Sequence, residues 1–279
     1  KEGGDTPYPS WDDLRAEDRE PDPALYIMIR DAEGRLIRQV SANSGKGLHR
    51  TAWDLRLPPP DPVSIAPEEE RPYWMSDPAG PLVLPGTYTA RLAVERDGVL
   101  TETGEAQSFV VKALDASTEI AADRKALQDF QVKVAELQRA VQGSGNAMAE
   151  LQNRLAHIRA AMLVTPRASD AERDVLRQLE ERLADIGVAI HGDGTIGGRN
   201  EPVPMSIASR VSSLYGTLVY SQSPAGGNFR DSYAVAAKEF AAALQALRTA
   251  AADVSALENA LELKGAPWTP GRIPDWSAD

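Results

Sequence analysis

Apolar and polar side chains alternate in several stretches of the first 113 residues, the pattern of β-strands with one buried face. PALYIMIRDAEGRLIRQV contains two such runs around DAEG, where Gly34 tolerates positive φ, and predicts a hairpin. TYTARLAVERDGVL and EAQSFVVK predict two further strands. The apolar face of the first of these is expected to comprise Tyr88, Ala90, Leu92 and Val94.

The stretch GLHRTAWDLR, residues 47–56, also fits a period of two and predicts another strand. His49, Trp53 and Leu55 would then share one face, while Asp54 would lie on the other, so His49 and Asp54 cannot form a catalytic dyad in a regular strand. We therefore expect a structural role, with Trp53 buried between two sheets. On this basis, Trp53→Ala is expected to destabilise the fold by roughly 3 to 5 kcal/mol.

A proline-rich insertion follows this stretch, with the sequence LPPPDPVSIAPEEERPYWMSDPAGPLVL. Its composition is that of a long loop, and such loops in compact domains are often functional. One interpretation is a contact arm whose Tyr73 and Trp74 become buried on a partner. The other is a strap that lies across the chain's own β-sandwich, and the sequence leaves both open.

After residue 113, apolar positions recur at steps of three, four and seven, which predicts amphipathic helices. Two stripes come first, a capping box in SDAE at Ser169 opens a third helix, and a fourth follows. The last helix is predicted from about Arg230 to Lys264, with Gly265 at its end. The stripes comprise Ile120, Leu127, Phe130, Val134, Leu137 and Val141; Met148, Leu151, Leu155, Ile158 and Met162; Leu176, Leu179, Leu183 and Ile186; Ile207, Val211, Leu214 and Leu218; and Tyr233, Phe240, Leu244, Leu247, Val254, Leu257 and Leu261.

The composition changes at the same point, since 13 of the 20 prolines precede residue 113 and alanine-rich runs occur only after it. The predicted fold class is α+β in two domains, an immunoglobulin-like antiparallel β-sandwich followed by an elongated antiparallel helical bundle. The predicted segments are an N-terminal linker from a missing upstream domain at 1–23, the sandwich at 24–113, the bundle at 114–265 and an extended C-terminal tail at 266–279.

Charge and cysteine content narrow the classes of function. The formal net charge of -11 argues against nucleic acid or an anionic membrane as a partner, and no apolar run is long enough to span a membrane. The absence of cysteine excludes disulfides, thiolate metal sites and a cysteine nucleophile. The first residues, KEGGDTPYPSW, lack the apolar core of a signal peptide and suggest an internal fragment.

No motif predicts a catalytic residue, a cofactor site or a metal site. HGDGTIGG, residues 191–198, contains a GxGxxG spacing but follows a predicted helix, so a connection within the bundle is favoured over dinucleotide binding. His49, His157 and His191 lack the spacing of metal ligands, and no GxSxG marks a serine nucleophile. Carboxylates are plentiful, and the sequence neither shows nor excludes a pair with glycosidase geometry.

The tail GAPWTPGRIPDW has three prolines and therefore predicts an extended segment after the last helix. We expect it to fold back onto the chain near the junction of sandwich and bundle, burying Trp268 and Trp276. Arg272 would then reach a carboxylate or the last helical carbonyls. Trp268, Arg272 and Trp276 are also candidate partner contacts, together with Tyr73 and Trp74.

Four stretches, YPSWDDLRAEDRE, GKGLHRTAWDLR, PGTYTARL and GAPWTPGRIPDW, give the chain a family resemblance over nearly its whole length. It resembles the C-terminal region of large exported bacterial sortilin-like (VPS10-type, BNR/Asp-box) β-propeller proteins, often labelled glycosyl hydrolases. The β part is also similar to the immunoglobulin-like domain of hook-capping proteins. There a tryptophan-aspartate strand precedes a glycine-tyrosine strand, as Trp53, Asp54, Gly86 and Tyr88 do here, although the insertion replaces the usual short link.

The resemblance implies that a propeller preceding residue 1 holds any catalytic or ligand site, since no Asp-box motif occurs in this chain. It implies a non-catalytic accessory or scaffold region, periplasmic or extracellular, whose partner is the upstream propeller and in addition a protein or polysaccharide. One alternative is that the region lends loop residues to the active site of a propeller hydrolase. Another is a carbohydrate-binding module, which requires exposed coplanar aromatic rings such as Tyr73 and Trp74 could supply.

Overall fold

The structure is a computed structural model. It describes residues 8–63, 65, 78–114, 123–199 and 201–278. The elements, in chain order, are α1 Trp11–Glu17, β1 Ala24–Arg30, β2 Leu36–Ala42, β3 Gly86–Arg96, β4 Val99–Val111, α2 Arg124–Leu163, α3 Asp170–His191, α4 Gly194–Gly197, α5 Ile207–Leu218 and α6 Gly227–Glu262. The chain is therefore of mixed α and β composition, as predicted.

Internal contacts divide the chain into two compact units. The first, the sheet unit, consists of residues 1–58 and 82–118; the second, the helical unit, consists of residues 59–81 and 119–279. The described residues of the range 59–81, which belong to the proline-rich insertion, group with the helices although the sequence places them between strands.

In its described residues, the sheet unit contains one antiparallel sheet of four strands in the order β2-β1-β3-β4. The predicted hairpin is confirmed, because β1 pairs with β2 around a turn in which Gly34 has a φ of 78°. The Asp31 carboxylate organises this turn by accepting the backbone N–H groups of Glu33 and Arg35. A second tight turn at Asp97 and Gly98, both with positive φ, joins β3 to β4.

The predicted strand at residues 47–56 is wrong. Only Arg56 pairs there, in an isolated bridge to Leu82. The backbone of Leu55 has a φ of 59°, and the Asp54 carboxylate accepts the N–H of Arg56, so a turn interrupts the period of two. His49 is exposed, with Nε2 2.8 Å from the Gly45 carbonyl oxygen.

Trp53 is partly buried on one apolar face of the sheet, where its ring makes edge contacts with Tyr88 and Phe109. Its Nε1 donates to the Arg56 carbonyl oxygen at 3.0 Å, which satisfies the polar atom of the indole. Within the described part of this unit, irregular segments that include Trp53, Leu57 and Val83 cover this face, and no second sheet faces it.

The two helical stripes that open the second half of the chain form one continuous helix, α2, of 40 residues. The expectation of two helices is wrong because Val141 and Met148 are seven residues apart, which continues a single stripe. Gly143 and Gly145 lie within this helix, and the Ser144 hydroxyl donates to the Ala140 carbonyl. Ile120 lies outside the described residues.

Within the described residues, the helices of the helical unit form three long rods, whose axes run parallel or antiparallel to one another. Contacts at both ends of α6, Phe130 with Tyr233 and Arg154 with Glu258, show that it runs parallel to α2. The third rod is split: α3 and α5 lie one after the other, antiparallel to α2 and α6, with residues 192–206 between them. The described residues of the predicted apolar stripes form its core, and the parallel direction of α2 and α6 departs from the expected antiparallel bundle.

The predicted helix ends are confirmed. Ser169 and Glu172 form the capping box of α3. At the other end of the unit, Gly265 has a φ of 81°, its N–H donates to the Glu262 carbonyl, and the Ala266 N–H donates to the Leu261 carbonyl. This is the pattern of a Schellman motif, and it turns the chain sharply out of α6 into the tail.

Candidate interaction site at the C-terminal tail

The tail folds back along the last turns of α6. Ala266 is buried beside Leu261, and the Thr269 hydroxyl approaches the Glu258 carboxylate at 3.4 Å. The Arg272 N–H donates to the Thr269 carbonyl, and Gly271 has a φ of 82°, so a turn directs the Arg272 side chain back toward the helix. The predicted return of the tail onto its own chain is confirmed.

Arg272 fixes this return by a bidentate ion pair. Its Nε and Nη2 atoms lie 2.6 and 2.7 Å from the two carboxylate oxygens of Glu262, and Nη2 also donates to the side chain of Asn259. The hydrogen bond to Glu262 raises the pKa of the Arg272 guanidinium above its ordinary value. Two parallel bonds of this kind fix direction as well as distance.

Glu258 lies beneath this pair, with its side chain only 1% exposed. Arg154 of α2 binds it through Nη2 at 2.5 Å and Nε at 3.1 Å, and Arg272 Nη1 lies 3.9 Å from it. A buried carboxylate requires such partners because burying an unpaired charge is costly. We call Arg154, Glu258, Glu262 and Arg272 the tail clasp.

The expected burial of the two tail tryptophans is wrong. Trp268 is 42% exposed and Trp276 is 80% exposed, while Ile273 between them is 89% exposed. The tail is held instead by the ion pairs of the clasp and by the small buried side chain of Ala266. The larger apolar side chains around the turn at Gly271 remain exposed.

Other exposed apolar side chains lie at the same end of the helical unit. Leu163 and Val164 end α2, and Leu263 follows α6. A hydrogen bond from Arg167 Nε to the Lys264 carbonyl links the loop after α2 to the residues that follow α6. We call Leu163, Val164, Leu263, Trp268, Ile273 and Trp276 the terminal patch.

The tail returns to the C-terminal part of α2. The tail contacts α2 near Ile158 and Ala161, which are more than thirty residues beyond its first residue, Arg124. At about 1.5 Å per residue, this is roughly 50 Å from the end at which the chain enters α2.

The structure does not test the other two sequence-predicted contact residues. Tyr73 and Trp74 lie outside the described residues. On either side of them in the sequence, Asp61 Oδ1 accepts from Gln142 Nε2 at 3.1 Å, and the Ala79 carbonyl accepts from the Tyr215 hydroxyl at 2.5 Å. The described ends of the insertion therefore lie on the helices.

The GxGxxG segment connects two helices. Gly192 follows the last residue of α3, with a φ of 92°, and Gly194–Gly197 form the single turn α4. No described strand leads into it, and His191 instead lies against Gly145 of α2. Across the described ranges, no group of three histidine, cysteine or acidic residues is placed to hold a metal ion.

Sequence reasoning missed Arg154 and Glu258, the inner half of the clasp. A signal was present, since Glu258 follows Val254 by four residues and precedes Leu261 by three, on the apolar stripe of α6. A carboxylate at a core position predicts a paired cation, and the partner on α2 follows only from the packing of the two helices.

Comparison with known proteins gives no relatives: no family, no curated protein and no solved structure matches the chain. Among the helices in the described ranges, none combines the length and apolar character needed to cross a membrane.

Proposed function

We propose that this chain is a non-catalytic scaffold and interaction region of a larger exported β-propeller protein, and that the terminal patch contacts the propeller or another protein. The observation that carries the proposal is the combination of an ordered tail with exposed apolar groups. Trp276 and Ile273 are among the most exposed large apolar side chains, yet the tail that carries them is clamped by Arg272.

A tail that is held in one conformation and exposes apolar side chains favours a role in binding a partner. Exposed apolar groups that cluster commonly mark protein interaction sites, and tryptophan is enriched among residues that dominate binding energy. A segment already fixed by the clasp loses less conformational entropy when it binds. The resemblance to sortilin-like proteins supplies the proposed neighbour and the periplasmic or extracellular location.

We further propose that the two units are separate domains and that the sheet unit derives from an immunoglobulin-like sandwich with a reduced second layer. Tyr88, near the start of β3, donates its hydroxyl to the Leu84 carbonyl at 2.7 Å, a bond like the tyrosine corner of such sandwiches. Trp53 on the apolar face supports the same relationship.

The carbohydrate-binding alternative receives less support from the described aromatic residues. Tyr8 and Trp11 are both exposed, but their rings pair at an interplanar angle of 66°, unlike the flat platform that stacks on a sugar. The alternative that loops of this chain lend residues to the active site of a propeller hydrolase is one outcome of the second experiment.

The first experiment measures the accessibility of Trp276 in the chain alone and in the full-length encoded protein. Incorporation of 5-fluorotryptophan gives one fluorine resonance per tryptophan, and Trp276→Phe assigns the relevant one. We expect the Trp276 resonance to be sensitive to a soluble paramagnetic agent in the chain alone and protected in the longer protein. Trp53, held by Tyr88 and Phe109, serves as an unchanged internal reference. Equal accessibility in both proteins would contradict the proposal.

The second experiment concerns the upstream region and catalysis. We expect the gene to encode a β-propeller before Lys1 and the chain alone to lack glycosidase and peptidase turnover. If a full-length hydrolase loses activity when carboxylates of this chain are neutralised, with stability unchanged, the active-site alternative is correct. An upstream sequence without a propeller rejects the proposed neighbour.

A further inference from the structure

We propose a second interaction surface, separate from the terminal patch: the groove between α3 and α6 binds an amphipathic helix with basic flanks from a partner protein. The groove lies on the side of the bundle and uses none of the residues of the tail clasp. The groove can therefore be tested independently of the role proposed for the tail.

The groove has the size and lining of a binding site. Its main hollow has a volume of about 840 Å³, between the second half of α3, the start of α5 and the first half of α6. Several of its apolar side chains, including Val188, Ile196 and Met205, are exposed rather than packed in the core. Hollows of this volume are typical of sites that hold a ligand or an anchoring side chain.

A second hollow of about 510 Å³ extends the groove toward the start of α3. The two hollows share Arg182, and together they follow α3 from Glu172 to Gly192. At about 1.5 Å per residue this is roughly 30 Å, which matches a helix of about 20 residues.

The shape of the groove favours a helix as the occupant. It lies between two antiparallel helices, and Ala242 and Ala246 line its α6 wall, where their small side chains permit close approach of another backbone. A helix that packs along α3 and α6 would add a fourth rod to the unit, with its apolar face in the groove.

The charge of the groove determines the flanks of that helix. Among the described residues, its lining holds one cation, Arg182, and five carboxylates, those of Glu172, Asp185, Asp193, Glu239 and Asp253. Arg182 is already paired with Asp253, and Glu172 with Lys264. Asp185 and Glu239 make no ion pair with any described residue, so they remain to bind lysine or arginine beside an apolar face.

The same charges argue against a second copy of this chain. A symmetric dimer through the groove would bring identical surfaces together and set these carboxylates against one another. The net charge of -11 adds to that repulsion and to the attraction of a basic partner.

The proposal is tested with synthetic helical peptides of about three heptads, with leucine on one face and lysine on the flanks. Binding to the full chain is followed by fluorescence anisotropy, beside a peptide with the same leucines and glutamate in place of lysine. We expect saturable one-to-one binding of the lysine peptide, and weaker binding by at least about tenfold of the glutamate peptide.

Variants locate the binding on the protein. Ala242→Trp fills the groove and should weaken the lysine peptide about tenfold, whereas Ala149→Trp, at an exposed alanine of α2, should not. The pair Asp185→Asn and Glu239→Gln should weaken binding several-fold and reduce its salt dependence, unlike Glu136→Gln with Glu150→Gln on α2. Circular dichroism and melting of each variant verify that it is folded.

Three results would overturn the proposal. One is equal affinity for the lysine peptide in Ala242→Trp and Ala149→Trp, which would indicate general attraction to an acidic protein. Another is equal binding of the two peptides. The third is a concentration-dependent dimer that Ala242→Trp dissociates, which would assign the groove to a second copy. Trp276→Ala should leave peptide binding unchanged, which separates this test from that of the terminal patch.

Discussion

Arg272 and Glu262 form two parallel hydrogen bonds that tie the tail to the last full turn of α6. The pair lies directly over the buried carboxylate of Glu258, which Arg154 also binds. Its loss therefore affects three elements at once: the tail, the end of α6 and the facing turn of α2.

Arg272→Ala is expected to lower the free energy of unfolding by about 1 to 2 kcal/mol, because it removes a bidentate charged pair and leaves Glu262 without its partner. Urea denaturation measures the change. Arg173→Ala, which removes an exposed ion pair with Asp170, is the matched control and should have little effect. A double-mutant cycle with Glu262→Ala should show that the two effects are coupled, and strict additivity would contradict the bidentate arrangement.

Trp53→Ala should destabilise the sheet unit by about 3 kcal/mol, the low end for a large aromatic residue, since the side chain is only partly buried. Trp53→Phe retains a ring against Tyr88 and Phe109 but loses the bond to the Arg56 carbonyl, so its cost should be smaller. Chemical denaturation followed by the circular dichroism of the strands would measure both. An alanine variant as stable as the wild type would show that the contacts of Trp53 do not support the sheet.

The lowered pKa of Asp31 predicts that the free energy of unfolding depends on pH. Burial would raise the pKa of its carboxyl group, but hydrogen bonds from the Arg35 backbone and guanidinium outweigh burial and hold the pKa below its ordinary value of 3.8. A depressed pKa in the folded state contributes stability above the unfolded value, and this stability is lost as the pH falls through the folded value.

Asp31→Asn should therefore be less stable than the wild type near neutral pH, and the difference should shrink below about pH 4. Denaturation curves near pH 7 and near pH 3 measure it, with the exposed Asp12→Asn as the control. A difference that is constant over this range would argue that the role of Asp31 does not depend on its charge.

Gly143→Ala tests the continuity of α2. A β-carbon at Gly143 has no neighbour within 4 Å, so the substitution should stabilise the helical unit by about 0.5 to 1 kcal/mol through helix propensity. At Gly145 the β-carbon would lie 3.4 Å from the ring of His191, and Gly145→Ala should gain less. Thermal melting distinguishes the two, and a destabilised Gly143→Ala would indicate a break in α2 at this point.

The parts of the fold that the sequence predicts are those set by local pattern. The β1–β2 hairpin, the capping box at Ser169 and the stripes of α3 and α5 follow from spacing and turn chemistry alone. The strand expected around Trp53 failed because a positive φ at Leu55 is decided by its surroundings, and the sequence there offers no glycine to signal it.

In the candidate site too, the features set by local sequence were predicted, and those set by the packing of distant elements were not. The proline content of the tail predicted an extended return, and Arg272 was expected to find a carboxylate. Which carboxylate it finds depends on the Schellman turn at Gly265 and on the packing of α2 against α6. The exposure of Trp276 was missed because burial of a tryptophan side chain is generally favourable. The sequence does not indicate whether this chain or a partner buries the side chain.

The third rod of the helical unit is divided between α3 and α5, and this division affects how the unit unfolds. Because α3 and α5 meet different halves of α2 and α6, either half can lose its short helix while the other keeps all three of its helices. The halves are coupled through the two long helices, near Gly145 and Ala243, and through a smaller direct contact between α3 and α5. We expect the unit to unfold in two partly independent segments that share a pair of helices, so that hydrogen exchange in α3 and in α5 should differ.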